Sequence, residues 1–218
     1  MSRSSVIPRT GVPIAAPDPR SSPVRASARG WPLLTALTLA ATLLGTCSRL
    51  FGSGVFEALR RDPDGLAHGQ LWRLITPVLV QGDRSPFTIA AVFILCAVIG
   101  AAGEVMLSRR EWILLYVIGI LVGHGIGEVF QPGQSGTSVA FAAILGGIGA
   151  RVLQARDARH RLWRVRFAAL VPLAILDTIF RDIHGLPFLA GLIAGVAFDR
   201  RHRSAGDPGV RTDPETSR

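Results

Sequence analysis

The stretch GTSVAFAAILGGIGAR, residues 136–151, decides how the rest of the chain is read. It is apolar, it carries small residues four apart at Ser138, Ala142, Gly146 and Ala150, and it closes on Arg151. Four-residue spacing marks one face of an α-helix, and a face of small side chains lets a second helix approach closely. A surface helix of a soluble domain would set charge on its opposite face. This one has no charge before Arg151 and fits the interior of a membrane bundle.

Working outward, further apolar blocks occupy residues 31–46, 86–106, 112–130, 167–180 and 184–198. Each is about 15–20 residues, near the length that crosses a hydrocarbon core of roughly 30 Å. The expected fold is therefore all-α, a polytopic membrane protein with six transmembrane helices over residues 31–199. Residues 1–30, rich in Arg, Pro and Ser, and residues 200–218 read as disordered cytoplasmic tails. The first block is long enough to stay in the membrane, and no small-residue cleavage site precedes it.

All 24 basic residues are arginine, which sets the net charge of +9 and the isoelectric point near 11.4. Arginines crowd residues 3–29, 109–110, 151–166 and 200–218, and they are sparse in the alternate connections. By the positive-inside rule both termini face the cytoplasm. The connection 49–84 also carries arginines, balanced by Glu57, Asp62, Asp64 and Asp83, and the six-span count requires it to face outward. Read as topology markers, the arginines give no basic face for nucleic acid. Cys47 and Cys96 fall in apolar blocks as small packing residues, no His or Cys pair has zinc spacing, and no glycine-rich phosphate loop follows a strand pattern. No metal or other cofactor is implied.

Two polar residues open apolar helices at matching depth. Ser138 lies about 20 Å of helix from Arg151, and His184 about 22 Å from the Asp199-Arg200 end of the last block. Backbone at that depth cannot face lipid, so residues 131–136 are expected to dip into a water-accessible cavity lined by protein. Gly191 and Gly195 share the face of His184, so the two helices can bring the hydroxyl to the imidazole, a nucleophile and its base. Capping by Ser138 and interfacial anchoring by His184 would explain the same residues without chemistry. His124, Glu128, Glu104 and Asp177 are the other ionisable residues within the blocks. His124 lies at a depth from which it could serve as an oxyanion donor or proton relay, and Asp177 could bond backbone groups freed by Pro172.

Several segments together resemble the rhomboid family of intramembrane serine proteases. Residues 69–77, Gly-Gln-Leu-Trp-Arg-Leu-Ile-Thr-Pro, are similar to its Trp-Arg outer-loop segment, which gives Trp72 and Arg73 a structural role. Gly100 and Glu104 resemble its second-helix Gly-xxx-Glu, where Glu104 would tie that helix to the outer loop, and 112–116 resemble the aromatic start of the third. Gly136-Thr137-Ser138, with Gly146 eight residues after the serine, resembles the opening of the fourth helix. His184, Gly191 and Gly195 resemble the sixth. The resemblance covers residues 66–198 and implies a six-helix rhomboid-like bundle in a bacterial plasma membrane. Ser138 would be nucleophile and His184 general base, with no third carboxylate needed, and the N–H groups of Thr137 and Ser138 would serve the oxyanion. The partners implied are single-pass transmembrane protein substrates or clients and the lipid bilayer.

The chain departs from the family pattern in specific places. Where the family sets a His and an Asn at the start of its second helix to stabilise the oxyanion, this chain has Pro86 and Ala90. Val139 replaces a Gly after the serine, and Pro187 replaces a Gly after the histidine. Residues 133–136, Gly-Gln-Ser-Gly, are the more literal serine motif and would make Ser135 the nucleophile, whereas the small residues at plus four and plus eight favour Ser138. Two other functions are compatible with the same sequence: an inactive rhomboid-like pseudoprotease that binds transmembrane clients, and a small transporter or channel built on His124, Glu128 and Asp177.

Overall fold

The computed structural model describes residues 31–52, 54–82, 85–155 and 160–205. The expected tails lie outside these residues, except that the last helix runs past Asp199 to Ala205. Eight α-helices follow in order: α1 (Leu33–Cys47), α2 (Val55–Leu59), α3 (Pro63–Ala67), α4 (Pro86–Met106), α5 (Arg109–Phe130), α6 (Ser138–Gln154), α7 (Arg161–Ile179) and α8 (Gly185–Ala205). Short 3-10 turns at Ser48–Phe51, Leu71–Leu74 and Thr76–Leu79 complete the connection between α1 and α4. Among the described residues the fold is all-helical, as expected.

Among the described residues, three helices have the length and composition of membrane spans: Leu33–Phe51, Pro86–Met106 and Arg109–Phe130. Helix α6 is apolar but has only 17 residues, about 25 Å of helix, because it begins partway along the depth of the bundle. Helices α7 and α8 carry arginines in the turns at one end, which dilutes their apolar stretches. With exposed Leu, Ile and Val along α1, α4 and α5, this is an integral membrane protein.

Helix α6 is the central element. Eleven of its residues, from Val139 to Val152, are buried, and it packs most extensively against α8, then α5. The small faces expected from sequence make that packing possible: a Cβ on Gly146 would collide with the Phe188 carbonyl of α8, and one on Gly191 with the Ala143 carbonyl of α6. Between α6 and α5, Val139 seats on Gly123, whose missing Cβ leaves room for the valine. Trp112 and Tyr116 of α5 and Phe141 of α6 form an aromatic cluster between the same two helices, with Trp112 stacked on Tyr116 at 5.2 Å between centroids.

Helix ends are fixed by sequence-local chemistry. The tight turn from α4 to α5 is a capping box: Ser108 accepts from the Glu111 N–H, and Glu111 accepts from the Ser108 N–H at 2.8 Å. Glu111 also accepts from Arg151 at 2.5 Å, and Arg151 lies 3.9 Å from Asp199. The charged ends of α5, α6 and α8 therefore meet at one level, the depth reference from which Ser138 and His184 were measured along their helices.

Glu104 does not bond to the α1–α4 connection, where the family resemblance placed its partner. Its carboxylate accepts from the Leu34 and Thr35 N–H groups and from the Thr35 hydroxyl at 3.3, 2.7 and 2.6 Å, so it caps the start of α1 from the far end of α4. Gly100, one turn earlier, lets Thr35 and Phe141 approach the same face.

The arginines of the α1–α4 connection are held by internal partners. Arg73 donates to the Glu57 and Arg60 carbonyls and to Gln70, and pairs with Asp62 at 3.6 Å, while Trp72 is exposed. Arg61 is 1% exposed and enters the bundle, donating to His124 Nδ1 at 2.7 Å and to the Gln131 carbonyl at 2.7 Å, with Glu128 at 3.7 Å. These arginines hold the connection together and dock it on α5.

Candidate active site

Ser138 is the first residue of α6, and His184 immediately precedes α8. Ser138 Oγ lies 2.8 Å from His184 Nε2. The contact is a direct result of the α6–α8 packing, since the glycine-mediated approach at Gly146 and Gly191 draws the helix starts together. Both side chains line a cavity of about 500 Å³ between α4, α6 and the α5–α6 and α7–α8 connections. Val92, Leu95, Cys96 and Ile99 supply its apolar wall, and Gln81, Gln131 and Gln134 its amides. A cavity of that size, mostly apolar with a few converging polar groups, has the form of a ligand site.

The structure separates the two candidate serines. Ser135 is buried, and its Oγ accepts from the Arg61 backbone N–H at 3.0 Å, so it fastens the α1–α4 connection to the α5–α6 connection. Only Ser138 meets the histidine. The α5–α6 connection is exposed at Pro132 to Gln134 and buried at Ser135 to Thr137, so it dips into the bundle over its second half.

Thr137 is fully buried, and its hydroxyl bonds the Tyr116 hydroxyl at 2.9 Å instead of capping α6. The first N–H groups of a helix have no partner within it, so the Ser138 N–H stands at the positive end of α6. Gly136 packs against Gln81, where a Cβ would come 2.7 Å from the amide oxygen. Gly195, further along α8, lies against Ala150 and Gly147.

Two departures from the family pattern are accommodated. Val139 fits the space left by Gly123. Pro187 falls in the first turn of α8, where no helical N–H is required of it, and is fully buried. The third is not compensated in place: Pro86 is the first residue of α4, and neither it nor Ala90 carries a side-chain donor.

A third carboxylate, which sequence reasoning considered unnecessary, is present. Asp182 Oδ1 lies 2.8 Å from His184 Nδ1 and also accepts from the His184 backbone N–H at 2.8 Å. Burial raises the carboxyl's tendency to hold its proton, but the hydrogen bonds from His184 outweigh it and hold Asp182 below the usual carboxylate range. The signal was the Asp-x-His spacing at the mouth of the last helix. His124 and Glu128, by contrast, face Arg61 and do not line the cavity that holds Ser138. Among the described residues no group of His, Cys, Asp and Glu is arranged to hold a metal ion.

A serine hydroxyl, an imidazole and a carboxylate stand in line on a bundle of apolar helices, an arrangement able to support nucleophilic chemistry at the serine. The rhomboid domain profile matches residues 68–200, more than half of the chain, and the chain belongs to the rhomboid family. It is 26% identical over 134 residues to Rhomboid-like protease 3 of Toxoplasma gondii, across 59% of this chain and 50% of that protein. It thus spans about half the length of that curated relative.

Proposed function

We propose that the protein is an intramembrane serine endopeptidase that hydrolyses peptide bonds in transmembrane substrates. The observation that carries this reading is the 2.8 Å contact between Ser138 Oγ and His184 Nε2 at the wall of a cavity of about 500 Å³. Six spans, with α1, α4, α5, α6, α7 and α8 crossing the bilayer and both termini cytoplasmic, would set this cavity near the outer surface. That orientation suits clients whose ends unwind there. Rhomboid-family membership and the protease named as a relative support the substrate class.

The chemistry follows from the atoms. Ser138 Oγ attacks the scissile carbonyl carbon as its proton passes to His184 Nε2. The tetrahedral oxyanion is met by N–H groups at the start of α6, and collapse expels the amine, which takes the proton from His184. Water then loses a proton to His184 and attacks the acyl-serine; collapse releases the acid and returns the proton to Ser138. The amide of Gln134 lines the same cavity and can supply a side-chain donor in place of the missing His and Asn.

Reconstituted in liposomes with a single-pass reporter, the wild-type chain should cut near one end of the reporter's span, and Ser138→Ala should not. Equal cleavage by both would refute the assignment. The absence of side-chain donors at Pro86 and Ala90 favours a second reading, a pseudoprotease that holds clients without cutting. Losing one oxyanion donor costs about a hundredfold or more in related chemistry. Client capture by Ser138→Ala, with no turnover by the wild type, would select that reading.

A further inference from the structure

We propose that Asp182 is a positioning residue that fixes the tautomer and orientation of His184, so that the site works as a three-residue relay instead of a pair. The inference rests on the reading of Ser138 and His184 as nucleophile and base.

The argument begins with the turn that precedes the histidine. Helix α7 ends in a paired motif: the Arg181 N–H donates to the Thr178 carbonyl, and the Asp182 N–H to the Asp177 carbonyl at 2.8 Å. The residue at the left-handed position of such an ending is usually glycine, yet here it is Arg181, with φ of 61°. Its carbonyl is bonded by Gln131 Nε2 at 3.3 Å, which ties the turn to the connection leading into Ser138. The backbone of Asp182 is thus fixed on both sides, two residues before His184.

From that position one carboxylate oxygen takes both the backbone N–H and the ring Nδ1 of His184, each at 2.8 Å. An ionised carboxylate can only accept, so the proton of a neutral imidazole must sit on Nδ1. Nε2 is then left with its lone pair toward Ser138 Oγ at 2.8 Å, the form required of a general base. When Nε2 takes the serine proton, the charge on the ring falls beside Asp182, which stabilises it without itself becoming protonated. No bond to Asp182 forms or breaks.

A structural role alone, with Asp182 serving to cap the entry to α8, would need only the backbone contact. Asp182→Asn separates the two roles, because the amide oxygen can still accept the His184 backbone N–H but carries no charge to hold the ring proton. The full chain in detergent is compared as wild type and Asp182→Asn by three readouts: kcat and KM on a transmembrane reporter peptide, thermal midpoint, and ¹⁵N resonances of the His184 ring, assigned by their loss in His184→Ala. The expected result is a fall in kcat of about tenfold to hundredfold with KM within about twofold. That is smaller than the roughly 10⁴-fold loss at a buried triad aspartate, because the Asp182 side chain is 41% exposed. The thermal midpoint should fall only slightly, leaving the protein folded at the assay temperature, and the ring should shift from the Nδ1–H toward the Nε2–H tautomer. Unchanged kcat with an unchanged tautomer, or a loss of kcat matched by loss of folded protein, overturns the proposal. A wild type that cuts nothing refutes the protease reading instead, and the nitrogen spectrum still decides for or against the role of Asp182.

Discussion

Ser138 and His184 are 46 positions apart in the chain and 2.8 Å apart in space. That approach depends on glycines well away from either residue. Gly146 and Gly191 face carbonyls of the opposite helix, and a side chain at either position would wedge α6 from α8 at the level that sets the serine-to-imidazole distance.

Gly191→Val should therefore separate the helix starts and lower stability by about 1–3 kcal/mol or more, since the obstacle is backbone and cannot rotate aside. Steric-trap unfolding in bicelles would measure this. Wild-type stability in the variant would mean that the close approach is not needed.

The α1–α4 connection is docked by a buried charge. Removing Arg61 leaves Glu128, whose side chain is 9% exposed, without its cation. Arg61→Met should cost roughly 3–5 kcal/mol, and Arg61→Met with Glu128→Gln should recover part of that loss. Thermal unfolding of both variants in one detergent checks the order; a double variant less stable than the single would contradict it.

Much of this architecture is legible in the amino-acid sequence. Apolar blocks located the long helices, and distance along α6 and α8 from Arg151 and Asp199 put the serine and histidine at one depth. What was missed has a common cause. Arg61 and His124 are 63 residues apart, and Thr35 and Glu104 are 69 apart, so their pairing depends on helix rotation and loop path, which apolar patterning does not encode. The Asp-x-His spacing was visible, but a left-handed turn at a non-glycine residue was not a local expectation, so Asp182 had no evident route to the ring.

That left-handed turn gives a third prediction. Arg181→Gly removes a conformational cost of about 1 kcal/mol at φ of 61° while keeping every backbone bond of the turn. The variant should be as stable as the wild type or slightly more so, with unchanged turnover. A drop in the thermal midpoint would show that the arginine side chain contributes more than its backbone strain costs.

A fourth concerns acid. Asp182 has its carboxyl held below the ordinary value in the folded chain by bonds from His184, with the Gln131 amide also bonding it from the α5–α6 connection. Its contribution is therefore present in full above the unfolded value, about 4, and is lost as pH falls through the lower folded value. The stability gap between wild type and Asp182→Asn should shrink on acidification below about pH 4. Unfolding midpoints recorded from pH 3 to pH 7 test this, and a gap that widened toward acid would reverse the sign.

The most direct test of the central claim is covalent. The purified full-length protein is treated in detergent with a fluorophosphonate, digested, and searched by mass spectrometry for the modified serine. The account predicts a phosphonyl adduct on the peptide carrying Ser138, strongly reduced in His184→Ala. No adduct under conditions that label an active rhomboid, or an adduct on Ser135 instead, would contradict it.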